Sequence, residues 1–327
     1  MRPLRAALRA HRGSLLPRAL WSLGTSVAAY GLCFALGLLA WAHAPLLLLL
    51  LAPLGGLALV RLFCIQHDCG HGSFFGARWA NDALGRAIAV ATLAPYAWWR
   101  ATHAHHHAVV NKLDHATDVG YFDLWTVAQW RAASPGQRLG YRLQRSAPFL
   151  ALIGGPLQFI FFHRLPPGTP PRLRRTLWGV LGLNLTWVGI LAACAWGGVL
   201  VPVLAVQLAF AWAAAGIGAA LFLNQHTFEG AVYADPEDWE WGRAALHGSA
   251  RLELPRWLAW FTADIGLHHI HHLDGSVPHY RLREALAAVP GLQQVRAMGV
   301  AEAFAESRLA LWDPDRGALV SFDAVAP

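Results

Sequence analysis

The residues of this chain best suited to chemistry are histidines that recur in three short clusters. Their patterns are HxxxH, HxxHH and HxxHH, and spacings of three and four residues place side chains on one face of a helix. The clustered residues are His67 and His71, then His103, His106 and His107, then His268, His271 and His272. Imidazole nitrogens are ligands for iron, zinc, copper and nickel. Eight of them exceed what one ion can hold, so the pattern predicts a redox site with two metals that share an imidazole-rich shell.

The helical repeat separates ligands from other histidines within a cluster. At about 100° per residue, the three ligands predicted in the second cluster fall within one arc, and His105 points almost opposite. In the third cluster, His269 lies only about 60° from His272. Both His105 and His269 are excluded as ligands. His269 lies closer to the direction of its cluster's ligands than His105 does to its own.

A ninth candidate ligand is His226, which follows the fourth apolar run as His67 follows the second. A metal-bound imidazole usually donates its other ring N–H to a carboxylate or an amide. Candidate partners are Asp264, four residues before His268, Asn111, four residues after His107, and Glu229, three residues after His226. The remaining histidines have no spaced companions and are predicted to be ordinary surface or interface residues: His11, His43, His115, His163, His247 and His279.

The composition indicates an integral membrane protein. Of the 327 residues, 56% are hydrophobic and 14% are charged, whereas about a quarter of the residues of a soluble domain are charged. The net charge of +7 is carried mainly by arginine. In a chain with long apolar runs, this excess favours lipid headgroups over nucleic acid as the partner. The four cysteines form no CxxC pair, so neither a disulfide framework nor a zinc ribbon is expected.

Four apolar runs are long enough to cross a bilayer, which requires about 20 helical residues. They are residues 19–42, 45–63, 177–197 and 199–223, and short breaks group them into two helical hairpins. Two shorter stretches, Ala83–Trp99 and Pro148–Phe162, are predicted to lie in the membrane interface or to re-enter it.

The arginines predict the orientation of the spans. They precede the first and third runs, and neither hairpin tip carries Lys or Arg. Positive residues stay on the cytoplasmic side, so both termini and all three clusters are predicted to be cytoplasmic. The expected fold is therefore an all-α integral membrane domain over residues 1–327. Four transmembrane helices carry a cytoplasmic helical cap, residues 64–176 and 224–327, with a histidine-ligated dimetal site. The expected location is the bacterial cytoplasmic membrane.

The motifs around these histidines resemble those of the membrane fatty acid desaturase family, in its delta-12 and omega-3 branch. The similar stretches are HDCGHGSFF at His67–Phe75, WWRATHAHHHAVVNK at Trp98–Lys112, ADIGLHHIHHL at Ala263–Leu273, VPHYRL at Val277–Leu282, NQHTFE around His226 and LWDPDRGALVSF at Leu311–Phe322. Some acyl-CoA members of the wider superfamily have a longer first box and an asparagine four residues before the extra histidine. Here the first box is HxxxH and position 222 is Phe, which favours the acyl-lipid branch.

The resemblance implies two ferrous ions, dioxygen as co-substrate and insertion of a double bond into a lipid-linked acyl chain. An apolar channel should then open near the metals, and candidate wall residues are Trp98, Trp99, Trp257 and Trp260. The reaction needs two external electrons. The sequence contains no heme motif, no cysteine cluster and no GxGxxG, so a separate ferredoxin or small cytochrome is expected as the donor.

Other functions remain open at this point. A hydroxylase, a ketolase or an acetylenase could use the same histidines, because box spacing does not determine the fate of the substrate radical. A non-enzymatic metal-binding membrane protein would be expected to carry ionisable residues inside its spans, and these spans are nearly all apolar. A membrane heme protein needs paired histidines within the spans, and none of the four runs has a pair.

Overall fold

The computed structural model describes residues 2–113, 124–166 and 168–325 and is mostly helical. Its α-helices are α1 (Arg2–Leu8), α2 (Leu16–His43), α3 (Leu47–His71), α4 (Arg78–Thr92), α5 (Tyr96–Ala108), α6 (Val127–Ala132), α7 (Pro135–Gln144), α8 (Ala147–Phe149), α9 (Leu177–Trp196), α10 (Leu200–His226), α11 (Trp241–His247), α12 (Arg256–Phe261), α13 (His268–Leu273), α14 (His279–Ala288), α15 (Pro290–Gln293) and α16 (Val300–Glu306).

Shorter elements connect these helices. Turns of 3₁₀-helix cover Arg9–His11, Pro171–Thr176 and Phe322–Ala324, and π-helical turns cover Leu150–Gly154 and Leu157–Phe162. The strands are β1 (Trp125–Thr126), β2 (Arg251–Leu252), β3 (Ala297–Met298), β4 (Leu309–Asp313) and β5 (Ala318–Ser321). Strands β1, β4 and β5 form one small sheet, and β2 pairs with β3. The mostly helical fold is as predicted, and the short strands are an addition to it.

Four of the helices are long and apolar enough to cross a membrane, namely α2, α3, α10 and α9 with the 3₁₀ turn before it. They coincide with the four predicted apolar runs. However, α3 continues past residue 63 to His71, and α10 continues past residue 223 to His226. Helix α3 ends at His71, and the backbone N–H of the following Gly72, which has a φ of 72°, donates to the carbonyl groups of Asp68 and Cys69. Both helices therefore carry histidines on their last turns.

Close packing of α3 against α10 holds these two helix ends together. At Gly55, an added Cβ would lie 2.5 Å from the ring of Phe210, and at Gly56 it would lie 2.7 Å from Ala213. Glycine at these positions lets the two backbones approach each other more closely than any larger side chain would permit. The register of α3 on α10 therefore fixes the position of His67 and His71 relative to His226.

Helices α4 and α5 form a hairpin against α3. The stretch Ala83–Trp99, predicted as one marginal segment, is broken at Leu93, which has a φ of 60°. The hydroxyl of Tyr96 donates to the carbonyl of Cys69 on α3, at 2.8 Å, and contacts Asp82 on α4, at 2.9 Å. These bonds hold the start of α5, and so its histidines, beside the end of α3.

A bent helix covers the second predicted marginal stretch. Residues Ala147–Phe162 are α-helical and then π-helical, and they turn by 64° from the direction of α7. This segment, here called the π-helical segment, packs on α10 at Gly216, where an added Cβ would lie 2.0 Å from the carbonyl oxygen of Ala151. The segment is thereby held along the face of α10 that leads to the histidines.

The N-terminal segment is bound to the region that follows the third histidine cluster. Arg12 pairs with Asp274 at 2.6 Å, and Arg18 pairs with Glu284 of α14 at 2.7 Å. The backbone N–H of Leu15 donates to the Tyr280 hydroxyl at 3.2 Å. Two arginines that the sequence explains by membrane orientation therefore also hold α14 and the turn before it in place.

The contact between Gly216 and the π-helical segment gives a testable prediction. Gly216→Ala should lower the stability of the protein by about 1–3 kcal/mol, because the new methyl group meets a backbone oxygen that cannot move freely. Gly218→Ala is the matched control, since among the described residues no atom outside the adjacent backbone of α10 lies within 4 Å of its Cβ position. Thermal unfolding of both variants in the same detergent measures the difference. Equal unfolding temperatures for the two variants would contradict the packing described here.

Candidate metal centre

Nine histidines from four helices meet at one place in the structure. They form two groups, and within each group the ligating nitrogens lie within 4.8 Å of one another. The five-histidine group consists of His67, His71, His103, His107 and His271, and the four-histidine group consists of His106, His226, His268 and His272. These are all nine of the ligands expected from the sequence. Neither group, as found among the described residues, includes His105 or His269.

The helical spacing explains how the histidines divide. Helices α3, α5 and α13 each give a pair of histidines four residues apart to one group: His67 and His71, His103 and His107, and His268 and His272. The third histidine of each HxxHH cluster goes to the other group. In α5 this residue is His106, and in α13 it is His271. Each HxxHH pattern therefore supplies histidines to both groups. The single arc predicted from the helical wheel did not distinguish these two directions.

The Nε2 atoms in the five-histidine group point toward one another. His103 lies 3.1 Å from His71 and 3.1 Å from His107, and His271 lies 2.8 Å from His107, all measured between Nε2 atoms. The ring of His67 lies 4.3 Å from that of His271, between centroids. Imidazole nitrogens that converge in this way form a site for a transition-metal ion.

The four-histidine group has the same character and is more deeply buried. The Nε2 atom of His272 lies 3.1 Å from that of His106 and 3.0 Å from that of His268, which in turn lies 3.2 Å from that of His226. All four residues are buried, whereas His71, His103 and His107 of the other group are partly exposed. The ring of His107 stacks on that of His272 at 4.2 Å, so the two groups are direct neighbours.

Burial keeps the grouped imidazoles of α5 and α13 in the protonation state that binds metals. Desolvation, reinforced by neighbouring histidines, lowers the pKa of each grouped histidine on α5 and α13 well below 6.5. These side chains are therefore neutral at pH 7, and their nitrogen lone pairs are available. Within the described part of the chain, the Nδ1 atoms of His268 and His272 are buried without a hydrogen-bond partner, and each residue offers Nε2 to the group. The residues present fit two divalent transition-metal ions.

The three residues predicted to support the ligands lie in different surroundings. The carboxylate of Asp264 pairs with Arg283 at 2.7 Å, and Glu229 is exposed. The side-chain amide of Asn111 donates to the carbonyl of Gly248 at 2.9 Å, and Nδ1 of His226 contacts that same oxygen at 3.0 Å. The amide of Asn111 therefore shares a backbone carbonyl with His226, whereas the spacing in the sequence suggested His107 as its partner.

The other histidines also differ from expectation in part. His43 and His247 are exposed, but His11 and His163 are buried, and His115 lies outside the described residues. The prediction that His279 is an ordinary surface or interface residue is wrong. Its side chain is buried and its Nδ1 atom lies 2.7 Å from a carboxylate oxygen of Asp68. Asp68 directly follows His67 in the sequence, and that adjacency is the signal that could have identified Asp68 as a residue near the cluster.

An apolar cavity of about 220 Å³ opens onto both groups. Its walls come from α3, α5, α10 and the π-helical segment, and they include Leu59, Phe63, Phe159, Ile160, Leu221 and Phe222. His67 and His103 of the five-histidine group line it, as do His106 and His268 of the four-histidine group. A long apolar molecule in this cavity would lie against both groups of imidazoles.

The four tryptophans proposed for a channel are placed differently from one another. Trp99 lines the cavity and stacks on His103, with 4.5 Å between ring centroids. Trp98 is buried against Leu173 and Val180, away from the cavity lining. Trp257 is 61% exposed, and Trp260 lies under the guanidinium of Arg61 at 4.6 Å. Within the described residues, only Trp99 of the four contributes to the cavity.

Four apolar helices, two adjacent histidine groups and an apolar cavity that opens onto both groups define a membrane protein with a candidate two-metal centre. The family described as fatty acid desaturase matches residues 39–299, which include all three clusters and His226. The chain belongs to the fatty acid desaturase family, whose members are oxidoreductases. The resemblance seen in the sequence motifs is thereby confirmed.

Characterised relatives agree with this membership. The chain is 36% identical over 310 residues to a fatty acid desaturase of Bacillus subtilis (strain 168), a match that covers 93% of this chain and 85% of the relative. It is 29% identical over 235 residues to the sn-1 oleoyl-lipid 12-desaturase of Synechocystis sp. (strain ATCC 27184 / PCC 6803 / Kazusa), covering 70% of this chain and 64% of the relative. It is 26% identical over 266 residues to the chloroplastic omega-6 fatty acid desaturase of Brassica napus, covering 77% and 56% respectively.

The unequal sizes of the two groups give a prediction for two adjacent residues. His272→Ala leaves three histidines in the smaller group, whereas His271→Ala leaves four in the larger group. We expect His272→Ala to lose more metal, because a three-histidine remnant offers fewer ligands than a four-histidine one. Metal analysis of protein purified without oxygen measures the loss. His269→Ala, which removes a buried histidine from the same helix, is the control and should retain the wild-type metal content. Equal loss from all three variants would contradict the assignment.

Proposed function

We propose that the protein is an oxygen-dependent desaturase that inserts a double bond into a lipid-linked acyl chain at a non-heme diiron centre. Membership of the desaturase family supports acyl desaturation. Relatives named sn-1 oleoyl-lipid 12-desaturase support a lipid-linked substrate. The observation that carries the proposal is an apolar cavity that is lined by histidines from both groups.

The five-histidine and four-histidine groups would each hold one ferrous ion. Imidazole is a suitable ligand for iron, and the family supports iron over the other metals that imidazole binds. When bound, the two ions supply the activation of dioxygen that removal of hydrogen from an unactivated methylene requires. The saturated acyl segment loses two hydrogens. With dioxygen, two electrons and two protons, the products are the alkene and two waters.

The contribution of the protein is to bind the acyl chain, orient it and exclude water. The cavity walls from α3 and α10 are apolar, so the substrate methylenes replace water beside the histidines. Trp99 stacks on His103, and Phe222 lies 5.1 Å from the ring of His106, so aromatic faces flank both groups at the cavity. These contacts restrict which methylenes of an extended chain can lie next to the imidazoles.

We further propose that the protein lies in the bacterial cytoplasmic membrane with its termini and histidines on the cytoplasmic side. With four membrane-spanning helices, the C-terminal ends of α3 and α10 lie on the same side of the membrane as the arginine-rich segments before α2 and α9. Arginine-rich segments stay on the cytoplasmic side. A cytoplasmic donor, either a ferredoxin or a small cytochrome, would then deliver the electrons. The four cysteines lie apart at positions 33, 64, 69 and 194, which is not the spacing of an iron–sulfur cluster.

Expression in a host without desaturases tests the reaction. Wild-type protein should yield an unsaturated acyl product in aerated cells only, and mass spectrometry of total lipids gives the position of the double bond. His106→Ala should abolish the product, because His106 belongs to the four-histidine group and lines the cavity. His105→Ala is the adjacent control and should retain activity. Both variants should be present in the membrane fraction at the wild-type level.

Other products would identify the alternatives. A hydroxylated, oxidised or triple-bonded acyl chain would replace the desaturase proposal with a hydroxylase, a ketolase or an acetylenase. Unaltered lipids in aerated cells, together with zinc in place of iron in the purified protein, would favour a non-enzymatic metal-binding protein.

Purified components test the need for a donor. The chain with NAD(P)H alone should give no product, because no flavin- or nicotinamide-binding motif is present in the sequence. Addition of a ferredoxin and its reductase, or of a small cytochrome with its reductase, should restore turnover, measured as alkene formed per mole of NAD(P)H oxidised. Turnover by the chain with NAD(P)H alone would overturn the requirement.

A further inference from the structure

We propose that Asp68 and His279 are positioning residues that hold His67 in the five-histidine group. This inference rests on the proposed metal centre and goes beyond it, because neither residue belongs to either group. Both are buried, Asp68 at 3% and His279 at 4% exposure.

The carboxylate of Asp68 connects two histidines. Its Oδ1 atom lies 3.6 Å from Nδ1 of His67, and its Oδ2 atom lies 2.7 Å from Nδ1 of His279. The first distance is longer than a hydrogen bond, so the contact with His67 is electrostatic. The Nδ1 atom of His67 is buried and has no hydrogen-bond partner among the residues that the structure describes. If His67 binds a metal through Nε2, its ring is neutral and carries its proton on Nδ1. The carboxylate of Asp68 lies beside that nitrogen.

His279 fixes the carboxylate in turn. The backbone N–H of His279, at the start of α14, also donates to Oδ2 of Asp68, at 2.8 Å. The positive end of the helix dipole of α14 favours a negative charge at this position. Asp68 thus caps α14 from another helix and is held by two N–H groups of one residue. Its remaining oxygen faces His67.

A further set of contacts anchors His279 itself. Its Nε2 atom lies 2.9 Å from the hydroxyl of Ser22 on α2, and that hydroxyl accepts from Nη2 of Arg61 at 2.9 Å. The Nε atom of Arg61 donates to the Ser26 hydroxyl at 3.0 Å. A chain of polar contacts therefore runs from α2 through His279 and Asp68 to His67. This chain fixes the ring of His67, which belongs to the five-histidine group and also lines the cavity.

The chain offers a matched control for this role. Asp274 is also a buried aspartate, at 4% exposure, and it lies two residues after His272. Its carboxylate pairs with Arg12 at 2.6 Å, and no contact to a grouped histidine is described for it. Asp68→Asn and Asp274→Asn each remove one buried negative charge at the same size. Only the first variant removes a charge that faces a grouped histidine.

Cobalt substitution of the full chain in detergent tests the proposal without measuring turnover. Apoprotein would be titrated with Co²⁺ in the absence of oxygen, and the visible absorption of bound Co²⁺ reports the ligand arrangement. Asp68→Asn should change that spectrum and weaken one of the two Co²⁺ sites by about 10–100-fold, the usual effect of losing an outer partner of a metal-bound histidine. Asp274→Asn should leave the spectrum and both affinities at the wild-type values. Thermal unfolding of each apoprotein measures any general loss of stability.

A second variant keeps the test decisive if Asp68→Asn does not accumulate. His279→Gln retains the carboxylate and removes the ring that fixes it, so it should change the same part of the spectrum. Wild-type spectra and affinities in either variant that folds, with or without a lower unfolding temperature, would overturn the inference and leave a structural role only. Failure of the wild-type chain to bind Co²⁺ would instead overturn the proposed metal centre.

Discussion

The structure depends on the convergence of nine imidazoles, six of them buried, in one place. Protonated histidines could not be brought this close, because like charges within a few ångströms in a region shielded from water repel one another strongly. Burial lowers the pKa of the histidines on α5 and α13, so the neutral rings can meet with their Nε2 atoms about 3 Å apart. The same desolvation that permits the cluster also makes its nitrogens available to a metal ion. The cavity beside the groups adds apolar walls, such as Leu59, Phe63 and Leu221, to the surroundings of the rings.

The position of this cluster determines what the long helices must do. Helices α3 and α10 continue beyond their apolar runs by about two and one turns respectively, and their last turns deliver His67, His71 and His226. Glycines at the α3–α10 contact set the register of the two helices, and so the alignment of those turns. Helix α5 is held by Tyr96 against α3, and α14 is held by the N-terminal segment and by Asp68. The site is thus assembled by helix packing at a distance from the histidines.

Much of this arrangement could be predicted from local sequence patterns, and the remainder could not. The four apolar runs and the i, i+4 histidine pairs are local features, so the spans and the convergent residues were accessible. The sequence predicts ends for the second and fourth spans that fall before the actual ends of α3 and α10. The reason is that the polar residues of the last turns, which face the cluster, interrupt the apolar runs. Spacing also suggested Asp264, Asn111 and Glu229 as supporting residues. The partners of a buried polar group depend on which helices pack together, and the contact between Asp68 and His279 joins residues 211 positions apart in the sequence.

The division of the HxxHH clusters explains why the separation of the two groups is well defined. In α5, the adjacent residues His106 and His107 belong to different groups, with ring centroids 5.8 Å apart. In α13, the adjacent residues His271 and His272 also belong to different groups, and their ring centroids lie 5.7 Å apart. Neighbouring residues on one helix cannot move independently, so the covalent chain itself sets the spacing between the groups at two places. A loop that supplied the same histidines would leave this spacing to its own mobility. The HxxHH motif in a helix therefore places histidines in both groups and fixes the distance between them, and the apolar cavity is lined by histidines of both groups.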